Sequence, residues 1–168
     1  MNTTQIHRAL ESNSITSSIF GGVYAADAVP PLDTFPQGYV VNTDPTGAPG
    51  SHWVTLYTEK SVIVETFDSF GKDLNSYSPF FHELGENNRL ITQSQQLQSE
   101  LSTVCGQYCI FFLLRRASGE TYSYIVHLFT DHKISNDIMV CQYVNHHFDM
   151  HTEVQDQRFV NQIAKTLQ

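Results

Sequence analysis

Residues 98–116 read QSELSTVCGQYCIFFLLRR, and the rest of the chain is organised around them. A polar loop (Ser99, Glu100, Ser102, Thr103) gives way to an unbroken apolar run from Tyr108 to Leu114. That run has the composition of a buried helix. Cys105 stands where the loop meets the helix. The first turn of a helix points backbone N–H groups outward and carries the positive end of the dipole, so a thiol placed there ionises more readily. Gly106 follows directly and lets another backbone or a substrate come close. A nucleophilic cysteine belongs in such a place; so does an ordinary buried one, since free cysteine is among the most buried residue types.

Composition limits what the helix can belong to. The chain has 168 residues, enough for one domain with a real core over residues 1–168. Hydrophobic residues make up 40% and aromatics 12%, which is a globular and not a disordered composition. The formal charge of −8, with only nine Lys and Arg, argues against a protein built mainly to bind nucleic acid. Three cysteines, Cys105, Cys109 and Cys141, do not make a disulfide framework. Cys105 and Cys109 share a helix face, but no further ligands stand at matching spacing, so no metal is expected. The first 18 residues lack a signal-peptide core, and no stretch approaches a membrane span. The expectation is a soluble protein of a reducing compartment.

Elements can be placed around the central helix. Residues 3–12 form a short amphipathic helix with Ile6 and Leu10 one turn apart and Thr3 or Thr4 as its cap. Residues 38–43 form a strand. Ser51 to Thr58 alternates, with Trp53, Thr55 and Tyr57 on one face and His52, Val54 and Leu56 on the other. A tight link at Glu59-Lys60 returns the chain through Ser61 to Phe67, giving a hairpin. Short helices are expected over Ser78–Leu84 and Thr121–Phe129, a longer one over Ser135–Phe148, a further strand over Arg89–Thr92, and a weaker amphipathic helix over Val154–Leu167. The fold class is therefore α+β: a small, mostly antiparallel sheet packed with helices, the buried central helix carrying Cys105 at its N-terminus.

Acyl transfer by a thiolate needs an imidazole, a group to orient it, and donors for the oxyanion. His52 opens one strand of the hairpin and Asp68 closes the other. Because the strands run antiparallel, those two ends lie side by side. Gln98 precedes the helix and can turn its amide toward the reacting carbonyl, with the Cys105 backbone N–H as a second donor. Each residue also has an ordinary reading. His52 can be a surface residue, Asp68 can simply initiate the turn before Gly71, Trp53 can be core, and Gln98 is one of several glutamines.

The motifs Gly50-Ser-His-Trp53, Phe67-Asp-Ser-Phe-Gly71 and Gln98-x6-Cys105-Gly106, in that order, resemble the adenain family of adenovirus-type cysteine endopeptidases, found also in related DNA viruses and virus-like transposons, so the resemblance implies a viral or virus-like transposon origin. That family lies within the superfamily that includes the SUMO-specific proteases. The resemblance runs from about Phe20 to Phe148. It implies His52 as general base, Asp68 as the acid that orients it, Gln98 as oxyanion donor and Cys105 as nucleophile. Trp53 matches an aromatic wall of the substrate channel beside the histidine, and Gly106, by the close approach it allows, is expected with Trp53 to bind substrate. Adenovirus enzymes usually carry Glu where this chain has Asp68, and either carboxylate can orient an imidazole.

The resemblance further implies cleavage of viral precursor proteins next to small residues, especially Gly-Gly, by a monomer working in the host nucleus and the virion, away from membranes. Deconjugation of a ubiquitin-like protein is the alternative within the same superfamily. The intact His, Asp, Gln, Cys set argues against a vestigial site, and the compact size favours the endopeptidase. No cofactor is expected to be required. Residues 80–98 contain no cysteine to tether an activating peptide, so any activator should bind non-covalently. The negative charge argues against DNA as a cofactor.

Overall fold

A computed structural model of the chain describes residues 1–60 and 62–148. The expected helix over 154–167 lies outside them.

Five strands form one sheet in the order β1 (Phe20–Ala25), β2 (Gln37–Asn42), β3 (Trp53–Lys60), β4 (Ile63–Phe67), β5 (Arg89–Thr92). The central pairings, β2 with β3 and β3 with β4, are antiparallel; the two edge strands join parallel to their neighbours. The sheet is thus mixed, where a mostly antiparallel one was expected. The difference comes from the edges, which are reached by longer crossings instead of hairpins. β1 has no strand signature in the sequence because Gly21-Gly22 interrupts it, and the register shifts between Phe20 and Gly22. The β3–β4 hairpin closes later than its sequence suggests: β3 runs through Lys60, which pairs with Ile63.

Helices α1 (Thr3–Ser12), α2 (His82–Asn87), α3 (Cys105–Ala117), α4 (Tyr122–His127) and α5 (Lys133–Phe148) complete the described chain. Helix α1 is capped by Asn2, not by Thr3 or Thr4: Asn2 Oδ1 accepts from the Gln5 N–H at 3.0 Å, and Gln5 Oε1 accepts from the Asn2 N–H at 2.9 Å. Among the described residues no helix is long and apolar enough to cross a membrane.

The alternation along β3 decides the layering. Trp53 and Tyr57 join a core with α1, α3, α4 and α5, to which Phe67, Phe111, Phe112 and Phe129 also belong. Val54 and Leu56 face the other way, into a second core with Ala26, Tyr39, Val64, Leu74 and Phe81. Helix α3 is buried on every side from Gly106 to Leu114, which is why its sequence is apolar all round. Phe112 stacks on Phe67 of β4 at 4.6 Å between ring centroids. The helix is thereby fixed against the sheet, and its first residue, Cys105, is fixed relative to the hairpin ends.

Candidate active site

His52, Asp68, Gln98 and Cys105 come from four separate places in the chain and meet at one end of the sheet. His52 immediately precedes β3 and Asp68 immediately follows β4. The antiparallel pairing sets these ends side by side, and His52 Nε2 lies 2.6 Å from Asp68 Oδ1. Both side chains are buried. Asp68 also accepts three further hydrogen bonds. The Phe70 N–H donates to Oδ1 at 3.0 Å, the Lys72 N–H to Oδ2 at 2.9 Å, and the Tyr77 hydroxyl to Oδ2 at 2.9 Å. Burial alone would raise the Asp68 carboxyl, but His52 and the two backbone N–H groups outweigh it and hold the carboxyl below its ordinary value. The turn expected of Asp68 is present too, since the Gly71 N–H donates to its carbonyl at 2.9 Å. The ordinary reading and the functional one hold together.

Gly71 makes that turn possible. Its φ is +65°, and a Cβ there would stand 2.5 Å from the Gln95 carbonyl oxygen.

With Nε2 occupied by Asp68, Nδ1 is the ring nitrogen left for the thiol. It is buried and closes no hydrogen bond of ordinary geometry among the described residues. The ring and the thiol still bias each other's protonation. Burial would lower the His52 pKa, yet Asp68 and Cys105 together raise it to about 9. Burial would raise the Cys105 pKa, yet the imidazole and the Trp53 backbone N–H bring it below its ordinary value. The two shifts favour a thiolate–imidazolium pair. Cys105 remains partly open to solvent. Cys109, one turn further on, is buried, and burial pushes its thiol well above the ordinary value.

Gln98 is also buried. Its Oε1 accepts from the Ser69 hydroxyl at 2.6 Å, and its Nε2 donates to the Ser102 carbonyl at 3.0 Å. A primary amide has two N–H groups, so one remains for another acceptor. The backbone N–H groups of Leu97 and Gln98 both donate to the Ser69 carbonyl, at 2.9 and 3.0 Å.

A cleft of about 570 Å³ opens over these residues, reaching His52, Trp53, Phe70, Gln98 and Cys105, with the 44–51 loop as one wall. Trp53 is half-buried there, and its Nε1 donates to the Met1 carbonyl at 3.2 Å. Gly106 has a different place from the one expected. It is buried and does not line the cleft; a Cβ on it would stand 3.1 Å from Met1 Cβ and 3.2 Å from Ile6 Cδ1. Its small size lets α1 pack against α3.

Four contributors do not show in the sequence: Tyr77, Phe70, Ser69 and Gln93. Tyr77 and Phe70 enclose the His52 ring, with centroids 5.4 and 4.8 Å away. Ser69 holds Gln98, and Gln93 Nε2 donates to the Asp68 carbonyl. Of these, only Ser69 had a signal, its place between Asp68 and the turn. Among the described residues no group of three His, Cys, Asp or Glu side chains is placed to hold a metal.

The fold is that of a viral protease. The ASFV pS273R protease superposes with a TM-score of 0.60 over 88% of this chain, at 16% sequence identity. The match takes in 66% of that protease, so the chain spans a little under two thirds of its length. A selenomethionine structure of the same protease gives a TM-score of 0.46 at 20% identity, covering 67% of this chain and 43% of that one. No protein-family model and no curated protein sequence matches the chain.

Proposed function

We propose that the protein is a cysteine endopeptidase of the adenain-like type, within the superfamily that holds the SUMO-specific proteases. The observation that carries the proposal is the meeting of His52, its ring held by Asp68, with Gln98 and Cys105 in one cleft; the directions in which the imidazole and the thiol are pushed agree with it.

The Cys105 thiolate attacks the scissile carbonyl carbon, forming a C–S bond as the carbonyl π electrons move to oxygen. The remaining Gln98 Nε2–H and the Cys105 backbone N–H, one of the four N–H groups a helix leaves without an internal partner, hold that oxygen. The intermediate collapses, the C–N bond breaks, and the His52 imidazolium gives its proton to the departing amine. A thioester remains. His52, now neutral, takes a proton from water as the water attacks, which restores the imidazolium; collapse then breaks the C–S bond, expels the thiolate and releases the carboxylic acid. Asp68 keeps the ring oriented throughout and stabilises it whenever it is charged, and does not itself take the proton.

By resemblance, the substrates are viral precursor proteins cut beside Gly-Gly-like residues, in the host nucleus and the virion. A peptide activator, if used, binds reversibly to a monomer. Incubation with a panel of Gly-Gly peptides and ubiquitin-like conjugates tests this, with and without candidate viral peptides and DNA. Peptide cleavage that disappears in Cys105→Ala is expected. Activity confined to ubiquitin-like conjugates would instead assign deconjugation, and no hydrolysis under any condition would reject the proteolytic reading.

A further inference from the structure

The segment that carries Gln98 is held by three elements, and one of them, α5, takes no part in the cleft. On one side Ser69, next to Asp68, accepts from two backbone N–H groups and donates to the Gln98 side chain. On the other side the Leu97 carbonyl accepts from Asn136 Nδ2 of α5 at 3.0 Å and from the Tyr108 hydroxyl of α3 at 3.2 Å. The same hydroxyl lies 2.9 Å from Asp137 Oδ1, so its single hydrogen is shared between carboxylate and carbonyl. The Ser99 N–H points at both Asp137 oxygens, at 3.4 and 3.3 Å. Asp137 thus grips the residue after Gln98 directly and the residue before it through Tyr108.

From this arrangement we infer that Asp137 is a positioning residue for the oxyanion donor: it holds the Leu97–Ser99 backbone so that the free Gln98 N–H points into the cleft. The inference rests on the proteolytic reading above.

Two further features support it. Asp137 is fully buried without a cationic partner among the described residues, where burial raises its pKa to about 6 even though the Tyr108 hydroxyl, the Ser102 side chain and the Ser99 N–H favour the charged form. An apolar residue would fill that position with less desolvation cost, but it would release two of the groups that fix Gln98. Ser102 closes the loop on itself as well. Its hydroxyl donates to the Ser99 carbonyl at 3.0 Å, and its own carbonyl takes the other Gln98 N–H. Tilting residue 99 therefore moves both ends of the Gln98 side chain.

The test is a double-mutant cycle of Asp137→Ala with Gln98→Ala on the full chain, reading kcat and KM with a Gly-Gly peptide and the rate of Cys105 alkylation by iodoacetamide. Alkylation needs the thiolate but no oxyanion donor. Asp137→Ala should lower kcat by up to about a hundredfold with KM unchanged. Alkylation should be unchanged, and the double variant should be no slower than Gln98→Ala alone. Additive losses, a change in KM alone, or a matching loss of alkylation would overturn the inference. If Asp137→Ala does not fold, Tyr108→Phe replaces it in the cycle, since it removes only the hydroxyl and keeps the ring stacked on Phe129 at 5.6 Å. The same outcomes then apply. A wild-type chain that alkylates at Cys105 but neither cleaves the peptide nor binds a Gly-Gly aldehyde would reject proteolysis itself, and the positioning role with it. A wild type that cleaves while the cycle is additive rejects the positioning role alone.

Discussion

At Cys105 the decisive quantity is which way burial and neighbours push the thiol. Cys109 lies on the same helix and is more deeply buried, but it lacks the imidazole, and its thiol stays protonated. Replacing Cys105 by Ala or Ser should abolish cleavage with the thermal midpoint little changed, whereas Cys109→Ala should keep most of the activity. Assays of all three variants check this, and activity that followed Cys109 would reverse the assignment. The sign of the pH dependence follows from the same pair. His52 must carry a proton to release the amine, so turnover should fall as pH rises through about 9. Cys105 must be ionised, so turnover should also fall on the acid side, but below the ordinary thiol range because its pKa is depressed. A pH profile of kcat/KM reports both limbs. Gln98→Ala should cost on the order of a hundredfold in kcat and little in KM, because the amide contacts charge present only in the tetrahedral state. Steady-state kinetics on that variant separate the two. His52, Asp68, Gln98 and Cys105 were legible in the sequence because motif order and a hairpin argument bring them together. Tyr77 and Asp137 were not. Each acts through a tertiary hydrogen bond, and nothing in the spacing of a lone Tyr or of an Asn-Asp pair announces its partner, nine residues away for Tyr77 and 29 for Asp137.

The element that governs the site's assembly is the turn after β4. Asp68 to Lys72 turns sharply enough for two backbone N–H groups to reach the Asp68 carboxylate, and Gly71 allows this by taking a left-handed conformation against the Gln95 carbonyl. Gly71→Ala should therefore destabilise the protein by roughly 1–3 kcal/mol through strain and the close contact. The loss of activity should exceed the loss of folded protein, because residue 95 lies on the approach to Gln98. Thermal unfolding beside kcat measured at a temperature where the variant is folded checks this. The hairpin, α3 and the helices around it could be read from periodicity, which long apolar or alternating runs display well. β1 could not, because paired glycines mask a strand whose pairing is decided by its neighbour β2. Nor could the parallel joining of β1 and β5, since parallel partners are set by how a connection packs and not by any local residue pattern.

At the scale of the whole molecule, the net charge of −8 sets the long-range field. A protein with that charge and nine Lys and Arg repels phosphate at distance, so duplex DNA should change the turnover of a Gly-Gly peptide little at low or moderate salt. Turnover with and without DNA across a salt series checks this. Strong stimulation falling steeply with salt would show that a local basic surface overrides the total. The β4 end couples the chemistry at this scale too. Asp68 faces the imidazole, and its neighbour Ser69 faces the amide of Gln98. These adjacent side chains reach different partners, so one dipeptide just beyond β4 ties the imidazole and the Gln98 amide to the same piece of backbone. Moving that backbone would displace both partners together. Under the proposed mechanism, proton transfer and oxyanion binding are therefore gained or lost together, as the chain just beyond β4 takes its place.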